Sequence, residues 1–209
     1  MAAAALDRGT AAVYRFPVRP VEEFMSRLLR LLPALPAFVF FASHALAQGL
    51  TPCFQATLQQ DDDKVIAVCS SVIKSAGLTG NSLSMAYSNR GLGYLRKREF
   101  DRSITDFNEA IRINPKNAFA YDNRGDAWRE KGQYDRALTD YNAAIRNDAT
   151  FASSYLNRGL TFERMGNLQS ARADFRTVLA MKGDRPIDKW ARDEAQRHLK
   201  RLDSAAPKK

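Results

Sequence analysis

The tripeptide Asn-Arg-Gly occurs three times in this chain, at residues 89–91, 123–125 and 157–159, and each step is 34 residues. A fixed period of this length commits a chain to stacked copies of one supersecondary unit, because a single unit cannot bury its own apolar face. Other positions keep the same step. An aromatic stands four residues before each Gly (Tyr87, Tyr121, Tyr155), another three after it (Tyr94, Trp128, Phe162) and a third sixteen after it (Phe107, Tyr141, Phe175). Small residues recur at Ser103, Ala137 and Ala171, and acids at Asp106, Asp140 and Asp174.

Within a copy the spacing is helical. Tyr87, Gly91 and Tyr94 fall at i, i+4 and i+7 on one stripe, and Ser103, Phe107, Ala110 and Ile111 make a second. Between the stripes Lys97-Arg98-Glu99 supplies a polar turn; the later copies use Gly132 and Gly166 there, which suit a helix end. Two antiparallel helices per copy follow. Gly91, Gly125 and Gly159 sit mid-helix, at a cost of about 1 kcal/mol each relative to Ala. That cost is tolerable if the missing side chain lets the second helix approach, with Ser103, Ala137 and Ala171 expected as the other half of the contact.

This pattern resembles the tetratricopeptide repeat, whose aromatic, Gly, aromatic, Ala and Pro positions recur here at Tyr87, Gly91, Tyr94, Phe107, Ala110 and Pro115. The second copy matches at Tyr121, Gly125, Trp128, Ala137, Tyr141 and Ala144, and the third at Tyr155, Gly159, Phe162, Ala171 and Phe175. Arg90, Arg124 and Arg158 depart from the family's Leu before Gly, and Ala149 and Gly183 from its closing Pro. The resemblance covers residues 84–183, divided as 84–117, 118–151 and 152–183. It implies an all-α, right-handed solenoid of antiparallel helix pairs.

Residues 48–83 read as a degenerate first hairpin and a linker. The run 65–73 parallels 103–111, so Cys69 takes the second-helix aromatic slot, Cys53 the first-helix Gly slot, and 77–83 the linker. Residues 184–202 hold a closing helix over 187–202, with Ala191, Ala195, Leu199 and Leu202 as its apolar stripe, and 203–209 are expected to be a disordered tail. The total is seven or eight helices. The whole is similar to secreted tetratricopeptide proteins of alphaproteobacteria, which share a Cys-containing first hairpin.

Residues 1–47 are expected to be a secretory signal. Arg27 and Arg30 lead into an apolar run, 31–42, shorter than the roughly 20 residues a spanning helix needs, and Ala45-Leu46-Ala47 makes a cleavage box. Met25 opens a more usual start, so 1–24 read as a mis-assigned extension. The rival is an uncleaved anchor. No Cys follows the box, which disfavours a lipoprotein, and no later stretch is long and apolar enough for stable membrane insertion. A periplasmic or secreted chain follows. Cys53 and Cys69, the only cysteines, would then reach an oxidising compartment and pair.

Catalysis finds no support in the residues. His44 lies in the signal, which leaves His198 as a lone surface histidine; there is no metal-ligand spacing and no phosphate-cradling Gly loop. No enzyme activity, cofactor or metal is expected. Arg90, Arg124 and Arg158, each sixteen before an Asp, read as a ladder of ion pairs between first and second helices rather than as an anion-binding stripe.

Recognition is what the family resemblance implies, in a groove lined by the first helices. Its candidate residues are Asn89, Asn123 and Asn157, whose amides can bond a peptide backbone, with Ser88, Leu92, Leu95 and Arg96, then Asp122, Asp126, Arg129 and Glu130, then Leu156, Leu160, Glu163 and Arg164. Local capping or packing is the other role open to the Asn series. The partner is read as a protein or peptide. The chain carries a net charge of +9, of which residues 48–209 keep +7, spread among acids. A basic solenoid that binds RNA or another polyanion is the alternative, disfavoured by export, and a structural subunit of an envelope complex is a third reading.

Overall fold

Nine helices follow one another among the residues that the computed structural model describes, which are 51–59, 61–75, 77–183 and 185–204. They are α1 (Thr51–Gln59), α2 (Asp62–Lys74), α3 (Gly80–Arg96), α4 (Phe100–Ile113), α5 (Ala118–Glu130), α6 (Tyr134–Asn147), α7 (Ala152–Arg164), α8 (Leu168–Ala180) and α9 (Pro186–Ser204). The all-α repeat architecture is as the period implies. Nine exceeds the expected seven or eight, because the degenerate hairpin supplies two complete helices beside the repeats' six and the closing one. The expected leader at 1–47 lies outside the described residues.

Local chemistry starts and stops these helices. Asp61, Asn117 and Asn167 cap α2, α5 and α8, their side-chain oxygens accepting from the backbone N–H of Lys64, Ala120 and Ser170. After α5 and α7 the chain turns through Gly132 and Gly166, at φ 73° and 78°. The equivalent position after α3 is Arg98, at φ 62°, in the left-handed region that a side chain makes costly. All three turns close in the same way: Glu99, Gln133 and Asn167 donate their N–H to the carbonyls of Tyr94, Trp128 and Phe162 at 2.8–2.9 Å.

Packing within each hairpin runs through the helix-interior glycines. A Cβ on Gly125 would meet the Tyr141 ring at 2.7 Å, one on Gly91 the Phe107 ring at 2.9 Å and one on Gly159 the Phe175 ring at 2.7 Å. The rings themselves are fully buried. The partner of each Gly is therefore the aromatic sixteen residues on, and not Ser103, Ala137 or Ala171. Those small residues are buried too, but they are not the nearest neighbours.

The Arg–Asp ladder forms within each hairpin. Arg90, Arg124 and Arg158 each make two parallel bonds, through Nε and Nη2, to Asp106, Asp140 and Asp174, all between 2.6 and 2.9 Å. The third nitrogen reaches back to the preceding hairpin: to Ser70 at 3.2 Å, Asn108 at 2.6 Å and Asn142 at 2.5 Å. The guanidinium also lies over Tyr87, Tyr121 or Tyr155 at 5.4–5.5 Å. Each Arg thus ties two neighbouring second helices through one first helix.

The first hairpin is closed covalently. Cys53 and Cys69 form a disulfide, with Cα atoms 4.9 Å apart, inside a small cluster with Ala56, Val65 and Val68. At the other end α9 lays Ala191, Ala195, Leu199 and Leu202 on the core around Phe175 and Val178. Two boundaries differ from expectation. The linker is shorter than 77–83, because α3 already begins at Gly80. Asp203 and Ser204, expected in the tail, belong to α9, where Arg172 bonds the Asp203 carboxylate at 3.1 Å and the Leu202 carbonyl at 2.7 Å; the rest of the expected tail, 205–209, lies outside the described residues.

Candidate peptide groove

The order of packing defines an inner and an outer face. The first helices touch one another in sequence, α1 to α3, α3 to α5, α5 to α7 and α7 to α9. The second helices α4, α6 and α8 pack only on first helices and never on each other. A stack that is close on one side and open on the other curves, with the first helices on its concave side.

The three Asn residues occupy three different environments on this side. Asn89, 7% exposed, has a buried amide nitrogen with no partner among the described residues. Asn123, 8% exposed, donates that nitrogen to the Phe119 carbonyl one turn back, at 2.8 Å. Asn157, half-buried, bridges to the neighbouring first helix, placing its nitrogen 3.3 Å from Asp122 Oδ2 and 3.4 Å from Asp126 Oδ2. The 34-residue step therefore does not make the Asn side chains equivalent, because Asp122 and Asp126 stand where the previous copy has Ser88 and Leu92.

Around Asn157 the groove floor carries a charged cluster. Arg129 bonds Asp126 at 3.1 Å and reaches the Asn157 side-chain oxygen at 3.4 Å. The Tyr141 hydroxyl donates to Asp126 at 2.8 Å. Burial, and the like charge of Asp126, push the Asp122 carboxyl up to about 7 against the opposing pull of Ser154, Asn157 and Arg129. Burial raises Asp126 as well, while Arg129 and the Tyr141 hydroxyl act in the other direction.

Ser88, Leu156 and Leu160 are drawn into packing between elements instead. Ser88 is buried, donating to the Ser84 carbonyl at 2.9 Å and accepting from Asn117 at 3.0 Å; it belongs to the joint between copies. Leu156 is fully buried in the C-terminal core, on which Leu160 also packs. Leu92 and Leu95 are half-buried on α3. Arg96 is half-buried, 3.4 Å from Asp62, and Arg164 is exposed. Glu130 lies 3.6 Å from Arg98.

His198 is not a lone surface group. It packs against Phe175, the rings tilted by 45° with centroids 5.5 Å apart, and is flanked by Glu163 at 2.6 Å and Glu194 at 3.1 Å, with Arg201 bonding Glu163 at 2.8 Å. This network fastens α9 to α7 at the end of the groove. A 35-residue separation between His198 and Glu163 is close to the repeat step, and that near-coincidence is the signal that could have paired them.

A stack of helical hairpins whose first helices enclose a polar concave face is a helical-repeat solenoid of the kind that presents an extended recognition surface. The chain belongs to the tetratricopeptide-repeat family: tetratricopeptide-repeat models match residues 84–117 and 152–185, and a TPR-repeat model matches 125–166. Similar solved structures include MamA (19% identity, TM-score 0.54, covering 73% of this chain and 92% of that one). The first TPR of Spaghetti (RPAP3), bound to the HSP90 peptide SRMEEVD, aligns at 20% identity and TM-score 0.53, covering 61% of this chain and 95% of its own. The Sgt2 TPR domain from Aspergillus fumigatus aligns at 20% identity and TM-score 0.50, covering 64% and 90%. No curated protein sequence matches the chain.

Proposed function

We propose that this protein is a non-catalytic scaffold that binds an extended peptide or protein segment in the concave groove of α3, α5 and α7, outside the cytoplasm. The observation that carries the reading is the buried, unpartnered Asn89 amide among the inward-packed first helices. A buried donor left without a partner costs roughly 1–3 kcal/mol, a cost that a ligand carbonyl removes. The peptide complex of the Spaghetti domain supports this use of the fold. The Cys53–Cys69 disulfide supports an oxidising compartment, and no helix among the described residues is long and apolar enough to cross a membrane. The polyanion alternative loses support, because Asp122 and Asp126 lie at the groove centre.

Replacing Asn89, Asn123 and Asn157 together by Ala tests the reading. Peptide binding should fall at least tenfold, about 1.4 kcal/mol, while the far-ultraviolet circular dichroism stays that of a folded helical protein. Unchanged binding would move the site off the groove.

A further inference from the structure

The centre of the groove is under-supplied with positive charge. Asp122 is 4% exposed, and Asp126 retains about a fifth of its side-chain exposure beside Arg129. One guanidinium thus serves two carboxyls that share the same Asn157 amide nitrogen. Glu130, 3.9 Å from Arg129 Nε, has its own partner in Arg98 at 3.6 Å and so leaves this balance unchanged. The other groups facing the pair are uncharged: the Tyr141 hydroxyl from α6, and Asn157 and Ser154 from α7. Arg96 of α3 is engaged with Asp62 of α2.

Two independent observations point to a ligand here. Ser153, one turn before Asn157 on the same face of α7, is 7% exposed and its hydroxyl has no partner among the described residues. Arg129 Nε is likewise buried without a hydrogen bond. Ahead of the cluster the first helices expose apolar side chains: Met85 and Phe119, at the slot Ser153 fills in the third copy, are each 37% exposed.

We propose that Asp122 and Asp126 take a lysine or arginine side chain of the bound peptide, whose apolar residues lie along the Met85 and Phe119 side. This rests on the groove reading and names the ligand class for it. Both carboxylates ionised with Arg129 leave one uncompensated negative charge, and a ligand cation supplies the missing partner. A peptide as acidic as SRMEEVD has the wrong sign. The raised Asp122 carboxyl then gives binding a second signature. A cation favours the carboxylate, so near neutral pH binding drives a proton off Asp122 into the buffer.

The test is selection of a phage-displayed random heptapeptide library on the full chain. The expected winners carry Lys or Arg at one aligned position flanked by apolar residues. Their affinity should fall about tenfold or more on Asp122→Asn with Asp126→Asn. On the unaltered protein, affinity should rise between about pH 5.5 and about pH 8, with proton release seen by calorimetry in buffers of different ionisation enthalpy. Acidic winners, or a basic preference that survives the double substitution, would overturn the proposal. Winners indifferent to charge whose binding is lost in the Asn89, Asn123 and Asn157 triple variant would overturn the cation site and leave the groove standing. No enrichment at all would overturn both.

Discussion

The first hairpin and the three full repeats make one contact with two chemistries. In the repeats a first-helix Gly faces a second-helix ring sixteen residues on, and an Arg–Asp pair lies alongside. In α1–α2 the same two slots hold Cys53 and Cys69, also sixteen apart, joined by a disulfide, and the one aromatic of the hairpin, Phe54, stays exposed. The difference teaches where each hairpin draws its stability. A repeat buries a ring of 150–250 Å² or so and needs its neighbours in register. The first hairpin, whose buried cluster among the described residues is small, relies on restricting its unfolded chain.

Breaking the ladder should give the largest effect. Asp140→Ala leaves the Arg124 guanidinium, one-fifth exposed, facing no carboxylate, and is expected to cost about 3–5 kcal/mol. Chemical denaturation of the variant measures it, and an exposed pair would lose only ~0–1 kcal/mol.

Reducing the disulfide should cost about 3 kcal/mol, the chain-entropy value for a loop of this size. Its signature is local. Hydrogen exchange should quicken in α1 and α2 while α5 to α8 keep their protection. Equal loss in all helices would mean that the hairpin and the repeats do not differ as argued.

Asp122 predicts a pH effect confined to the repeats. Its folded carboxyl, near 7, lies above the unfolded value of about 4. Between those two values the unfolded chain releases a proton that the folded chain keeps, so stability declines as pH rises through the window and levels off above it. The decline attributable to this group is at most about 1.4 kcal/mol for each pH unit of the window. It should vanish in Asp122→Asn, whose stability profile subtracted from that of the unaltered protein isolates the effect.

The smallest change is a gain. Arg98 occupies the left-handed position that Gly132 and Gly166 fill in the later turns. Arg98→Gly should stabilise by about 0.5–1 kcal/mol, raising the melting temperature by about 2–4 °C.

The fold was legible because a 34-residue period and two helical stripes admit one kind of packing. The disulfide, the ladder and the stripe of α9 were also readable, each from residue types held at fixed offsets. The groove was read less well, for a physical reason. A period identifies equivalent backbone positions, yet a side chain's surroundings depend on what the neighbouring copy places opposite it. Asn157 meets Asp122 and Asp126, whereas the residues equivalent to those two in the preceding copy are Ser88 and Leu92. His198 was misread because its partner Glu163 lies on a different helix. Leu156 was misread because α9 gives the third repeat a core on both sides.

Amide hydrogen exchange of the protein with and without a library-selected peptide tests the central claim most directly. The concave-groove account predicts that bound peptide slows exchange along α3, α5 and α7, most strongly near Asn89 and in the α5–α7 segment around Asp122 and Asn157. Protection on α4, α6 and α8 instead, with the first helices unchanged, would contradict it.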